Sequence, residues 1–174
     1  FARDPALVQQ TGAITAQEMT ATGIQWTFAP ALSVTRDQRW GRAYESFGED
    51  PELAQSLGAA AVRRLQGSSL AAATSALACA KHYAVHSGPE ATRHRADVAP
   101  TEVDFYDTYL PQFEAAVREG KVGSVMGAYN RVYGAPATAS KLLLTDLLRD
   151  RWGFQGYVVS DCDLGLLLPT SAGQ

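Results

Sequence analysis

The feature that most constrains the fold of this 174-residue chain is a regular alternation of helical and strand-like patterns along its length. Capped, periodic segments predict helices at residues 4–22, 50–65, 101–120 and 140–151, and apolar, β-rich runs predict strands at 24–29, 77–83, 122–129 and 156–161. Such alternation is typical of parallel strands joined by helical crossovers, and continuous apolar strands are typical of a sheet covered on both faces. Because a complete eight-stranded barrel takes about 250 residues, the sequence predicts an α/β fold of the (β/α)8 TIM-barrel type, present as an incomplete barrel of about four strand–helix units.

Short local motifs predict where the helices begin and end. The Asp-Pro pairs at residues 4–5 and 50–51 each combine an N-cap residue with proline at the first helical position. Gly67 is expected to end the second helix, and Pro111 is expected to kink the third helix or to delay its start. The polar, aromatic and glycine-containing run at residues 35–49 is predicted to be a long loop.

Composition argues against several classes of function. The formal net charge is −3 and the 15 Lys and Arg residues are scattered, which argues against a nucleic-acid partner. No run approaches the roughly 20 apolar residues needed to span a bilayer, so no membrane partner is expected. The two cysteines, Cys79 and Cys162, lie in separate apolar runs. Without clustered Cys and His residues no metal site is predicted, and no organic cofactor is expected; a disulfide between the two cysteines stays open.

Polar side chains fall where the predicted strands end. They are Arg42 in the loop after the first strand, Lys81 and His82 at the end of the second, Tyr129 at the end of the third, and Asp161 at the end of the fourth. In a parallel barrel the carboxyl ends of all strands lie on one face, and that face holds the active site. The sequence therefore predicts that these residues converge on one rim.

This set of side chains suits chemistry on a sugar. A carboxylate that attacks an anomeric carbon must be ionised, and cationic Arg42 and Lys81 nearby would favour the ionised form of Asp161. Sugar hydroxyls need directional hydrogen-bond donors, which Arg, Lys and His supply. Tyr129 and Trp40 would offer apolar faces to a sugar ring.

Each of these residues also has a purely structural interpretation. Asp161 would end a strand as a cap or turn residue, Lys81 would lie at a solvated edge, Tyr129 would belong to the core, and Arg42 would pair with Glu45 or Glu49. These interpretations explain the residues one by one. They do not explain why four separate segments deliver such side chains to the same rim, and for that reason the catalytic interpretation is preferred.

Six segments match the motifs of a known family, and they cover nearly the whole chain in the expected order. They are Phe28-Ala29-Pro30, Arg36-Asp37-Gln38-Arg39-Trp40-Gly41-Arg42, Tyr44-Glu45-Ser46-Phe47-Gly48-Glu49-Asp50-Pro51, Lys81-His82-Tyr83, Met126-Gly127-Ala128-Tyr129-Asn130, and Trp152-Gly153-Phe154 with Val158-Val159-Ser160-Asp161. Each motif alone is weak, but the ordered set is specific. The chain resembles glycoside hydrolase family 3, with residues 1–174 forming part of one catalytic barrel domain.

The resemblance implies a retaining double displacement on a carbohydrate substrate. It implies that Asp161 is the catalytic nucleophile, and that the sugar in the first subsite is bound by Arg42, Lys81, His82, Arg93 and Tyr129. In the loop that holds Arg93, Glu90 is expected to be a structural ion-pair partner, and His86 and His94 receive little weight.

Two parts of the family's site lie outside the sequence according to this resemblance. A sugar-binding Asp is expected before Phe1, and an acid/base Glu from a second domain is expected after Gln174. Retaining glycosidases need two carboxyl groups about 5–5.5 Å apart, so the second domain or the remaining barrel segments of a longer protein are the expected partners.

The substrate stays open between β-D-glucosides and β-D-xylosides. Residues 24–30 look glucosidase-like, whereas residues 79–90 and the Ser160-Asp161-Cys162 segment look closer to the β-xylosidase subgroup, because many glucosidases have Trp at position 162. One alternative is a β-N-acetylglucosaminidase, which would require an Asp-x-His motif where this chain has Thr92-Arg93-His94. The other alternative is an inactive or sugar-binding barrel fragment that lacks the acid/base residue.

Overall fold

The computed structural model describes residues 3–86, 92 and 94–162. Its helices and strands follow one another in an alternating order that agrees with the sequence pattern. The elements are α1 (Pro5–Ala21), a 3-10 turn (Ala43–Glu45), α2 (Pro51–Gln66), β1 (Cys79–Tyr83), β2 (Asp97–Val98), α3 (Glu102–Asp104), a π-helical segment (Phe105–Tyr109), α4 (Pro111–Arg118), β3 (Ser124–Gly127), β4 (Arg131–Val132), β5 (Ala135–Pro136), a second 3-10 turn (Ala137–Ala139), a π-helix (Leu142–Arg151) and β6 (Tyr157–Val159).

The main sheet is parallel and has the strand order β1-β3-β6. The stretch predicted as the first strand, residues 24–29, runs parallel beside β1 but is not a regular strand. It is joined to β1 by isolated bridges from Trp26 to Leu77 and from Ala31 to Lys81. The two bridges are five residues apart on one side (26 to 31) and four on the other (77 to 81), so a one-residue bulge near Pro30 interrupts the pairing. Four parallel segments thus stand side by side in an open sheet, as expected for an incomplete barrel.

The helix ends confirm the local predictions. The Asp50 carboxylate accepts hydrogen bonds from the backbone N–H groups of Glu52 and Leu53, and α2 ends at Gly67, whose φ is +62°. Such a positive φ favours glycine, since it has no Cβ to clash with the backbone. The predicted helix 101–120 is divided at Pro111, where α4 begins after the π-helical segment.

The core lies between the helices and the sheet, and small residues allow these layers to approach closely. Helix α2 presents a row of buried alanines to its neighbours, and a Cβ at Gly58 would lie 2.5 Å from Leu32. At the sheet, a Cβ at Gly156 would lie 2.0 Å from the carbonyl oxygen of Gly123. The entry into β6 therefore has room only for glycine at position 156.

A second, small sheet was not predicted from the sequence. It has the order β2-β4-β5, with β2 and β4 parallel and β4 and β5 antiparallel. The β4–β5 hairpin turns through Tyr133 and Gly134, both with positive φ, as in a type I′ turn. Asp97 Oδ1 accepts a hydrogen bond from Gly134 N–H at 2.9 Å. Strands of two residues are too short to show a periodic pattern, and neither these strands nor the turn between β4 and β5 was predicted.

None of the helices in the described ranges is long and apolar enough to cross a membrane.

Candidate active site

The carboxyl ends of the parallel segments bring together the residues predicted from the sequence. Four of them are linked by consecutive side-chain contacts on the rim, in the order Lys81, Arg42, His82 and Asp161, with Glu45 between the first two. Tyr129 reaches the same region through the backbone that follows Asp161. The predicted convergence is therefore observed for these residues, whereas Arg93 and Glu90 lie outside the described residues.

Arg42 and Glu45 form a paired hydrogen bond within the loop that precedes α2. Arg42 Nε lies 2.6 Å from Glu45 Oε1, and Arg42 Nη2 donates to Glu45 Oε2 at 2.8 Å. Lys81 Nζ lies 3.7 Å from the same Oε2, so one carboxylate is shared by two cations. The hydrogen bonds between Arg42 and Glu45 raise the pKa of the guanidinium and lower the pKa of the carboxyl, while burial opposes both shifts. Glu45 is therefore held in its ionised form.

His82 connects this cationic group to Asp161. Its ring is buried, and Nε2 lies 3.1 Å from Arg42 Nη1 and 3.4 Å from Asp161 Oδ2. When the neutral ring carries its proton on Nδ1, Nε2 accepts a hydrogen bond from Arg42 Nη1. When Nε2 carries a proton, it donates to the Asp161 carboxylate. The His82 backbone N–H donates to Ser33 Oγ at 3.3 Å, which holds the strand end in place.

Asp161 is the carboxylate at the end of β6, and only 11% of its side chain is exposed. Its Oδ1 accepts a hydrogen bond from Cys162 N–H at 2.8 Å, and its Oδ2 is the oxygen near His82. The Tyr129 hydroxyl donates to the carbonyl oxygen of Cys162 at 2.6 Å. Asp161 is therefore a largely buried carboxylate with one oxygen hydrogen-bonded to the backbone and the other facing His82.

Three residues with little or no predicted role are placed next to the site. His86 is buried, with its ring centroid 4.4 Å from that of His82 and 5.7 Å from that of Trp40. The His94 ring lies 4.3 Å from the Tyr129 ring. The contacts of His86 with Trp40 and of His94 with Tyr129 join residues far apart along the chain, so a sequence pattern could not have indicated them. Glu45 was considered only as a structural partner of Arg42, and its contact with Lys81 was not anticipated.

The described residues contain no cluster of three or more His, Cys, Asp or Glu side chains that could hold a metal ion. The disulfide left open by the sequence is not formed, because Cys79 is a buried free thiol and Cys162 an exposed one. On the described rim, a carboxylate lies beside cationic and hydrogen-bonding side chains.

Comparison with known proteins shows close relatives. The family model "Glycosyl hydrolase family 3 N terminal domain" matches residues 1–166. A xylan 1,4-beta-xylosidase of Xylanibacter ruminicola is 49% identical over 138 residues, which are 79% of this chain and 16% of that protein. A periplasmic beta-glucosidase of Salmonella typhimurium is 39% identical over 154 residues, which are 88% of this chain and 20% of that protein. The chain thus spans about a fifth of the length of these relatives.

Solved structures show the same fold. A mutant beta-glucosidase of Listeria innocua in complex with laminaribiose superposes with a TM-score of 0.87 at 37% identity, over 93% of this chain and 23% of that one. Beta-glucosidase 3B of Thermotoga neapolitana in complex with glucose superposes with a TM-score of 0.84 at 31% identity, over 91% of this chain and 21% of that one. The parallel, open sheet is thus part of a (β/α)8 barrel, and the chain belongs to glycoside hydrolase family 3.

Proposed function

We propose that the protein hydrolyses terminal β-linked sugars, either β-D-glucosides or β-D-xylosides, by a retaining double displacement. Asp161 is the nucleophile, and residues 1–174 all belong to one catalytic barrel domain. The observation that supports this most directly is the position of Asp161: a largely buried carboxylate at the carboxyl end of a barrel strand, 3.4 Å from His82 and two contacts away from Arg42. Arg42 and Lys81 place cationic side chains on the same rim as this carboxylate.

In the first step, an oxygen of Asp161 forms a bond to the anomeric carbon while the bond from that carbon to the leaving oxygen breaks. The product is a covalent glycosyl-enzyme and an alcohol that has taken up a proton. In the second step, water attacks the anomeric carbon, loses a proton to the general base and releases the Asp161 carboxylate. Two inversions at one carbon retain its configuration.

The acid that protonates the leaving group is not Glu45. This carboxyl is hydrogen-bonded by Arg42 and lies beside Lys81, and its pKa is lowered as a result. A general acid needs a raised pKa so that it still holds its proton at neutral pH. Glu45 therefore orients the cations, and the acid/base residue comes from a part of the protein outside the described residues.

The remaining rim residues bind the sugar. Arg42 Nη1 and Lys81 Nζ are directed to the same region as His82 Nε2, and their N–H groups suit sugar hydroxyls. Tyr129 is joined to the residue after Asp161 and adds an aromatic surface. Arg93 is proposed as a further sugar contact on the basis of its motif alone.

Relatives favour glucosides and xylosides over N-acetylglucosaminides. The proteins compared above carry the names xylosidase and beta-glucosidase, and one solved beta-glucosidase holds laminaribiose. The second candidate function is sugar binding without turnover. It is favoured for the chain by itself, because the chain spans about a fifth of its relatives and its described rim offers no suitable acid.

The test is covalent trapping with 2,4-dinitrophenyl 2-deoxy-2-fluoro-β-glycosides in the gluco and xylo forms. The fluorine slows both steps, and the good leaving group needs little acid assistance, so the glycosyl-enzyme accumulates even where the acid is absent. The expected result is one added sugar on the peptide that contains Asp161, and no label on the Asp161→Asn variant. A folded wild-type chain that stays unlabelled by both sugars, or a label on another peptide, would contradict the assignment.

A further inference from the structure

Two consecutive hydrogen bonds connect Tyr129 to the carboxylate of Asp161. The Tyr129 hydroxyl donates to the carbonyl oxygen of Cys162 at 2.6 Å, and the Cys162 N–H donates to Asp161 Oδ1 at 2.8 Å. Cys162 is thus held at both its carbonyl and its N–H. The first bond is short for a hydroxyl donor, and the second involves a charged acceptor, so both are strong for their type.

This connection crosses from one strand end to the next. Met126 of β3 lies opposite Val159 of β6, and Tyr129 and Asp161 follow these partners by three and two residues (129 − 126 and 161 − 159). Among the described strands, β6 pairs only with β3 and is the edge of the sheet. The two hydrogen bonds through Cys162 thus connect the segments that follow two neighbouring strands, β3 and β6.

We infer that Tyr129 is a positioning residue for the nucleophile. Its hydroxyl fixes Cys162, and Cys162 in turn fixes the plane of the Asp161 carboxylate, with Oδ1 occupied and Oδ2 directed to the side of His82. Oδ2 is then the oxygen that attacks the anomeric carbon. This inference rests on the proposed function, because it presupposes that Asp161 is the nucleophile.

The role differs from a sugar contact made by the hydroxyl. A proton donated to a backbone carbonyl is not available to a sugar hydroxyl, so removal of the Tyr129 hydroxyl should affect the chemical step more than binding. A misplacement of about 1 Å at a reacting atom costs up to about a hundredfold in rate. Loss of a uniform binding contact would instead weaken binding and leave the chemical step unchanged.

The experiment compares Tyr129→Phe with the wild type in the rate of trapping by the dinitrophenyl 2-fluoroglycoside that labels the wild type. Tyr133→Phe is the matched control, because the Tyr133 hydroxyl also donates to a backbone carbonyl, that of Pro100 at 2.9 Å, but in the β4–β5 hairpin. For Tyr129→Phe, the maximal trapping rate is expected to fall about 10- to 100-fold, with the inhibition constant within about twofold of wild type. Tyr133→Phe should trap at the wild-type rate.

Two results would overturn the inference while leaving the proposed function intact. One is an unchanged maximal rate in Tyr129→Phe, and the other is a weaker inhibition constant with an unchanged maximal rate, which would assign the hydroxyl to sugar binding. An unlabelled wild type would overturn the proposed function and this inference with it.

A second measurement covers the case in which Tyr129→Phe does not fold. Incorporation of 3,5-difluorotyrosine at position 129 keeps the hydroxyl and the ring but lowers the pKa of the phenol. The trapping rate should then fall, relative to wild type, as the pH rises through the lowered pKa, because a phenolate cannot donate to the Cys162 carbonyl. His94, Asp161 and Cys162, the ionisable neighbours of Tyr129, are the same in both proteins, so the comparison isolates the phenol. Identical pH profiles would refute the inference.

Discussion

Glu45→Gln offers a sharp test of how the cations of the site are held. The substitution keeps the shape of the side chain and removes a charge that two cations share. Glu45 makes hydrogen bonds of 2.6 and 2.8 Å to Arg42 and lies 3.7 Å from Lys81. The side chains of Arg42, Glu45 and Lys81 are 21%, 23% and 16% exposed, so solvent screens the interaction only in part.

The expected loss in the free energy of unfolding is about 2 kcal/mol at pH 7. Hydrogen bonds to charged groups contribute about 1.5–3 kcal/mol, whereas fully exposed ion pairs contribute about 0–1 kcal/mol, and this pair is nearer the first case. The variant also leaves two cations facing an amide, one end of which is itself a donor. Freed from its partner, Arg42 should also lose the orientation that directs Nη1 to His82, and the inhibition constant of the trapping reagent should rise about tenfold.

The loss should depend on pH in a defined direction. The folded-state pKa of Glu45 is lowered, chiefly by its hydrogen bonds to Arg42, from an ordinary value of 4.5. Its stabilising contribution is therefore fully present above that ordinary value and disappears as the pH falls through the lowered folded-state pKa. The difference between wild type and Glu45→Gln should be largest at neutral pH and should shrink in acid.

The assay is urea unfolding followed by tryptophan fluorescence over a pH series. Glu49→Gln is the matched control, because Glu49 lies in the same loop, carries the same charge and is exposed. Its effect should stay within about 0.5 kcal/mol. If Glu45→Gln and Glu49→Gln are equally stable at pH 7, the carboxylate does not hold the two cations and the reasoning is wrong.

Three further predictions concern the scaffold and the rim. Gly156→Ala should lower the free energy of unfolding, measured by urea unfolding, by about 3 kcal/mol. The new Cβ would lie 2.0 Å from the Gly123 carbonyl oxygen, and a backbone atom cannot rotate away as a side chain can. A loss below about 1 kcal/mol would contradict this. Asp50→Ala should cost about 1 kcal/mol in the same assay through loss of the α2 N-cap, and an unchanged midpoint would count against that cap. Lys81→Met should raise the inhibition constant of the trapping reagent about tenfold, since a charged donor is removed, and a wild-type value would leave Lys81 as a partner of Glu45 alone.

The order of helices and strands could be predicted because it depends on local properties of the chain. An Asp-Pro pair caps and starts a helix by short-range hydrogen bonding and by the fixed φ of proline, and the structure confirms this at Asp50. Pro111 divides the third helix for an equally local reason, since its N–H is missing. The convergence of Arg42, Lys81 and Asp161 also followed from the sequence, because parallel topology places all carboxyl strand ends on one face.

Other features depend on contacts between distant parts of the chain. A one-residue bulge near Pro30 interrupts the pairing of the first predicted strand with its neighbour, and the small β2-β4-β5 sheet consists of strands too short to show a pattern. The contact between the His86 and Trp40 rings joins the turn after β1 to the loop before α2, and no periodicity in the sequence relates the two.

The sequence by itself determined the fold class, the family and the rim on which the candidate nucleophile lies, because these follow from alternation, motifs and the direction of parallel strands. Only the tertiary structure decided how the charges are paired. It added Lys81 to the pair of Arg42 and Glu45, placed His82 between Arg42 and Asp161, and joined Tyr129 to Cys162. Hydrogen bonds form within about 3 Å, and residues 30 to 80 positions apart reach that distance only after the strands have packed, so their partners cannot be read along the chain.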